Sequence, residues 1–257
     1  MTRPVVVAPG ASDREWSLAE AGAPLELDRL VPPPAGPLGA PAAAGGWEME
    51  IGFGKGRYLI ARAEREPSRR FLGIEIANQY FRILVGRARR RGLANLLAVR
   101  GEALYLLSAV LPRGFARAIH VYHPDPWPKS RHHKRRLFDP ETLDLVLGAL
   151  APGGELYFAT DHPEYGEWVM EVLGSYPAAT YRRLDGPWPD GLRTNYEAKY
   201  VAEGRPILRL VVEPVAPPSG RSPGASPGAL HPEGRAGVLV GPRPASEGDG
   251  ARVEPHR

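Results

Sequence analysis

Apolar positions in residues 46–213 follow two alternating rhythms. Short dense runs suit buried strands, and stretches with three- and four-residue spacing suit amphipathic helices. The runs predict strands at Trp47–Ile51, Arg70–Ile74, Leu96–Val99, Ala116–Tyr122, Glu155–Ala159, Thr180–Leu184 and Ile207–Val212. The spaced stretches predict helices at Tyr58–Glu66, Asn78–Arg91, Ala103–Leu111, Pro140–Leu150 and Glu164–Gly174, with a stop at Pro152-Gly153-Gly154. Thr194–Tyr200 reads as a loop between the last two strands. Strands alternating with helices of this length predict an α/β, Rossmann-like doubly wound fold. Its sheet is mostly parallel, with helices on both faces. The last two strands have no helical period between them and are expected to form an antiparallel edge.

Outside this region the composition changes. Residues 1–45 are rich in Ala, Pro and Gly, with Val31–Gly46 reading as a linker, and 46–213 form the folded domain. Residues 214–257 are Pro/Gly-rich, with little to build a core, and are expected to be disordered. The chain has 257 residues and no cysteine, which excludes disulfides, thiolate metal sites and thiol catalysis. No apolar run approaches the roughly 18 residues of a membrane span, and Met1–Gly10 is too short in apolar residues for a signal peptide. The expected location is cytoplasmic, with no membrane partner.

Sheets of this class bind ligands outside the C-terminal ends of their strands. There the pattern is unusual: Glu50, Glu75, Glu102, Asp125 and Asp161 each follow one of five consecutive strands. Five acids on one rim repel one another unless a cation or a hydroxyl-rich ligand satisfies them. The first turn, Glu50-Ile51-Gly52-Phe53-Gly54-Lys55-Gly56, uses glycines for positive φ and close ligand approach. Arg57 stands where a dinucleotide fingerprint has its third glycine, and Glu50 would repel a pyrophosphate, so a dinucleotide oxidoreductase is disfavoured. The acid suits a ligand carrying an ammonium or sulfonium, such as S-adenosylmethionine. Glu75 is placed to accept from ribose hydroxyls, and Glu102 could reach an adenine amino group.

The segment from His123 to Arg136 (HPDPWPKSRHHKRR) follows the fourth strand. Three prolines stiffen it and hold Asp125 and Trp127; Trp127 can stack on a base or wall the pocket. Lys129, Arg131, His132, His133, Lys134, Arg135 and Arg136 form a basic run beside the rim, expected to contact phosphates. The overall formal charge is only +4, so it is this local concentration that points to a polyanion. His120 and His123 are three apart near a strand and point to opposite faces, so no metal site is expected. Asp161, Thr194, Asn195, Tyr196 and Glu197 combine acids, a hydroxyl, an amide and an aromatic that could grip a base.

At MEIGFGKG, FLGIE, PDPWPKSRHHKRR, ATD and TNYEAKY the chain resembles the TrmB-type tRNA (guanine-N7-)-methyltransferases, in that family's order, from Trp47 to Val212. The resemblance implies a seven-stranded class I methyltransferase fold. It implies that the substrate is a guanine in the tRNA variable loop at position 46, methylated to 7-methylguanosine. It places cofactor contacts at Glu50, Glu75, Glu102 and Asp125, beside Gly52 and Gly54 of the turn. It implies tRNA or base contacts at Lys129, Asp161 and Thr194 to Glu197, RNA contact from Arg131 to Arg136, and Asp125 as the candidate catalytic residue. Position 102 carries Glu where the family often has Asp, and the N-terminal segment lacks the basic stretch expected of the family. Two alternatives remain: a methyltransferase of another RNA base or a protein, and a non-catalytic RNA-binding protein on this scaffold.

Overall fold

The structure, a computed structural model, describes residues 4–9, 15–17, 20, 25–32, 46–127, 136–191 and 193–215. Nearly all of the linker and the tail, and the whole of Lys129–Arg135, lie outside the described residues. Among the described residues nine strands form one sheet: β1 (Val5–Val7), β2 (Glu15–Ser17), β3 (Trp47–Ile51), β4 (Arg70–Glu75), β5 (Leu96–Arg100), β6 (Ala116–Tyr122), β7 (Leu150–Thr160), β8 (Ala179–Arg183) and β9 (Leu208–Pro214). The helices are α1 (Leu27–Leu30), α2 (Arg57–Arg65), α3 (Asn78–Arg90), α4 (Ala103–Ala109), α5 (Pro140–Gly148), α6 (Pro163–Ser175) and α7 (Asn195–Ala202).

The strand order is β2-β1-β5-β4-β3-β6-β7-β9-β8. The five strands β5-β4-β3-β6-β7 are parallel, and β9 and β8 close one side antiparallel. These seven are the expected sheet. The order reverses at β3, whose neighbours are β4 and β6, the switch point at whose strand ends such sheets bind ligands.

Burial explains the pattern. Strand β4 is buried along its whole length, so it reads as an unbroken apolar run rather than an alternation. Helix α3 buries Phe81, Leu84, Val85 and Ala88, a stripe with helical spacing. That stripe and Leu59, Ile60 and Ala63 of α2 pack on Phe71, Leu96 and Ala98 on one face of the sheet. Helices α4, α5 and α6 cover the other face through residues such as Leu106, Leu143, Val146 and Val169. Thr142 N–H donates to Asp139 at 3.1 Å at the start of α5, and Pro140 occupies its first turn.

Three features depart from the sequence reading. Residues 1–45 were given no element, yet β1 pairs antiparallel with β5, and β2 with β1. Val6 and Val7 are fully buried there, contributing roughly 1.5–3 kcal/mol each, and they cover a strand edge that would otherwise be open. Pro152-Gly153-Gly154 is not a stop between helix and strand. It lies within β7, where the register runs from Ala116↔Leu150 to Ala118↔Glu155, so an irregularity of β7 absorbs the extra residues. Residues 195–202 form a helix rather than a loop. Thr194 accepts from Glu197 N–H at 2.9 Å, and the Thr-x-x-Glu spacing of a capping box was the available signal.

Candidate active site

At the C-terminal end of β3, where sheets of this kind bind ligands, the chain makes the glycine turn. Gly52, Gly54 and Gly56 all have positive φ, at 76°, 52° and 70°. Gly56 has a second constraint: a Cβ there would lie 2.2 Å from Leu84 Cδ1, so α3 sits directly against the turn. Gly54 has open space around it, and its N–H donates to Glu75 Oε2 at 3.0 Å. Ala77 N–H donates to Glu75 Oε1 at 2.8 Å. The second acid is thereby clamped beneath the first turn by backbone donors.

Glu50 is 2% exposed, and its Oε2 has no hydrogen-bond partner among the described residues. Burial, and then the Glu75 charge, push its carboxyl up to about 8, against the opposing pull of Arg193 and the Leu59 N–H. Burial also raises Glu75, against its backbone hydrogen bonds and with the Asp125 charge adding to the rise. A buried carboxyl pair with one orphan oxygen is a poor resting arrangement and a good receptor for a cation or hydroxyls. That set of acceptors fits the amino and ribose groups of S-adenosylmethionine, which donate.

Asp125 is partly exposed. Its charge acts on Glu75 of β4, Tyr165 of α6 and Tyr196 of α7, so the structure brings it together with Glu75 and the start of α7. Glu102 stands at the end of β5, and its carboxylate caps α4, accepting from Leu104 N–H at 3.0 Å and Tyr105 N–H at 2.7 Å. Asp161, at the end of β7, is paired with His123 and Arg205.

Two expected RNA or base contacts have other employment. Arg136 is 3% exposed; its Nε donates to Pro126 C=O at 2.9 Å, and its guanidinium stacks 4.7 Å from Trp168 and 5.1 Å from Tyr165. It pins the Pro-rich loop to α6, and a phosphate contact does not fit that burial. Glu197 is 1% exposed. Its Oε1 accepts from Arg209 at 2.8 and 3.0 Å, and its Oε2 accepts from Arg193 N–H at 2.7 Å. It holds α7 to β9. Asn195 is exposed, and Thr194 and Tyr196 are half-buried, on the first turn of α7.

The sequence reading gives no role to Tyr80 or Arg193, and weighs His120 and His123 only as metal ligands. Tyr80 of α3 lies against Tyr196, whose hydroxyl is pushed up to about 12 by burial and by Tyr80. Arg193 lies 4.2 Å over Trp188, donates to Asp190 at 2.8 Å and also donates to the Tyr122 hydroxyl. His120 joins Tyr58 at 3.1 Å and Tyr122 at 2.8 Å, and burial pushes it down to about 4. His123 is elsewhere, on Asp161. Among the described residues no group of three His, Asp or Glu could hold a metal, and no helix is long and apolar enough to cross a membrane.

Comparison with known proteins agrees with this geometry. The family described as “Putative methyltransferase” matches residues 47–210. The tRNA (guanine-N(7)-)-methyltransferase of Alkalilimnicola ehrlichii is 38% identical over 193 residues, covering 74% of this chain and 77% of that protein. The protein of the same name from Nitrosococcus oceani is 36% identical over 162 residues, covering 63% and 69%. Among solved structures, a single-residue mutant of the 16S rRNA (adenine(1408)-N(1))-methyltransferase from Catenulisporales acidiphilia superposes with a TM-score of 0.52 at 17% identity, over 84% of this chain and 99% of that one. That likeness concerns the fold alone. By the family match and the relatives' identity, the chain belongs to the TrmB-type tRNA (guanine-N7-)-methyltransferase family.

Proposed function

We propose that this chain transfers a methyl group from S-adenosylmethionine to N7 of a guanine in tRNA, at position 46 of the variable loop, giving 7-methylguanosine. One observation carries the reading: the buried Glu50–Glu75 pair at the switch point of the sheet, with Glu50 Oε2 unpartnered. The names of the relatives support the choice of substrate. Glu50 would hold the cofactor's cationic groups, Glu75 would accept from its ribose hydroxyls, and Glu102, held as a cap, would border the adenine. When bound, the cofactor supplies an electrophilic methyl on a sulfonium.

Guanine N7 carries a free lone pair and needs no deprotonation. It would take the methyl group that the sulfonium supplies, the C–S bond giving way to the new N–C bond, and positive charge would pass to the purine. The work left to the protein is alignment and electrostatics. Asp125 orients the guanine and stabilises the charge that develops on it. Asp161, Thr194, Asn195 and Tyr196 hold the base. Lys129 and the basic residues from Arg131 to Arg135 hold phosphates.

The test is incubation of an unmodified tRNA transcript with the protein and S-adenosylmethionine, then nuclease digestion and nucleoside mass spectrometry. One 7-methylguanosine per tRNA is expected. Methylation of a different base, or none, refutes the proposal.

A further inference from the structure

His123 joins the three segments expected to meet at the substrate. It directly follows β6 and immediately precedes Pro124-Asp125. Its φ is 50°, a left-handed backbone that a non-glycine residue rarely adopts and that the following proline further disfavours. Strain of this kind persists only where surroundings over-determine it. Three contacts do so. His123 N–H donates to Ala159 C=O at 2.7 Å, which locks it to β7. Its Nδ1 lies 3.2 Å from Asp161 Oδ1. Its ring meets Tyr200 of α7 edge to face at 5.4 Å.

Asp161 completes the clamp. Its Oδ2 accepts from Arg205, whose guanidinium lies 4.0 Å over the same Tyr200 ring. Burial raises the Asp161 carboxyl, but the His123 hydrogen bond and Arg205 outweigh it and hold the group below its ordinary value. An ionised Asp161 can only accept, so the proton lies on Nδ1. His123 Nε2 is buried and has no partner among the described residues.

We propose that His123 is a positioning residue for methyl transfer, setting the place of Asp125 relative to Asp161 and the first turn of α7. The proposal rests on the functional reading above. It acts by two means: the left-handed backbone turns the chain out of the strand toward Asp125, and the Nδ1 bond fixes the Asp161 carboxylate.

The test compares His123→Asn with His123→Phe. Asparagine tolerates the left-handed region and carries a donor in the Nδ1 position, whereas phenylalanine keeps the ring and loses the donor. At saturating tRNA and cofactor, His123→Phe should lower kcat by roughly 10- to 100-fold, the scale of a small misplacement at a reacting centre. Its KM for S-adenosylmethionine should hold, and His123→Asn should stay within about threefold of wild type, a loss of under 1 kcal/mol. An unchanged kcat in His123→Phe, or an Asn variant no better than Phe, overturns the proposal. An independent readout is the ¹⁵N spectrum of the His123 ring in the wild-type protein, which also serves should His123→Phe not fold. A proton on Nδ1, lost or shared in Asp161→Asn, supports the proposal; a proton fixed on Nε2 overturns it. Wild-type protein that forms no 7-methylguanosine fails the functional reading instead, and the ring tautomer then reports whether His123 fixes the Asp161 carboxylate.

Discussion

Glu50→Gln should stabilise the protein without cofactor and impair its function. Burial, and then the Glu75 charge, push the Glu50 carboxyl from 4.5 up to about 8 on folding, so holding it ionised at alkaline pH costs on the order of a few kcal/mol. A carboxyl raised in the folded state leaves the native protein holding more protons than the unfolded chain between pH 4.5 and 8. Stability therefore falls as pH rises through that window. Glutamine has the same shape and no proton to lose. The gain in unfolding free energy from Glu50→Gln should be under about 1 kcal/mol at pH 5 and up to about 3 kcal/mol at pH 7. Urea denaturation of both proteins at the two pH values, without cofactor, measures it, and other titrating groups cancel in the difference. A gain that is flat or shrinks with pH refutes the assignment of Glu50 as a buried, uncharged acid. The same variant should bind S-adenosylmethionine more weakly, because a cationic ligand favours the ionised glutamate. Wild-type binding at pH 7 should accordingly release protons, read by calorimetry in buffers of different ionisation enthalpy.

Asp125→Ala should lower methyl transfer at saturating cofactor by at least roughly 100-fold, the scale of losing an electrostatic group at the reacting centre; near-normal turnover would remove it from the chemistry. Changing Arg131, Lys134 and Arg135 together to alanine should weaken tRNA binding and reduce the slope of log affinity against log salt by about 0.7 to 0.9 per lost contact. Cofactor affinity should survive, and an unchanged slope would make the run a solvated loop. Glu197→Ala leaves the Arg209 guanidinium and the Arg193 N–H buried without their acceptor, so denaturation should show a loss of about 3–5 kcal/mol. A loss below about 1 kcal/mol would mean water replaces the carboxylate.

The parallel core could be read along the chain because each of its elements is dictated locally. A strand buried on both faces, such as Phe71–Ile74, must be apolar throughout. A helix lying on a sheet must repeat Phe81, Leu84, Val85 and Ala88. Since ligands of such sheets gather at the strand ends, the acids following the strands were legible too. Glu75 does come together with Glu50 on one side and feels Asp125 on the other.

What only packing decided concerns residues whose partners are distant in sequence. Arg136 belongs by composition to a basic run, but Trp168 and Tyr165 of α6 take its guanidinium out of solvent. Glu197 looks like one more site acid until β9 brings Arg209 against it. Val5–Val7 is too short to read as a strand by itself, and becomes one because β5 offers an unpaired edge. His123 and Asp161 are separated by 38 residues, and meet because β6 and β7 are neighbours in register. Local patterning records which face of an element is buried. Which side chain waits on that face is set by strand order and loop placement, and no short-range period encodes those.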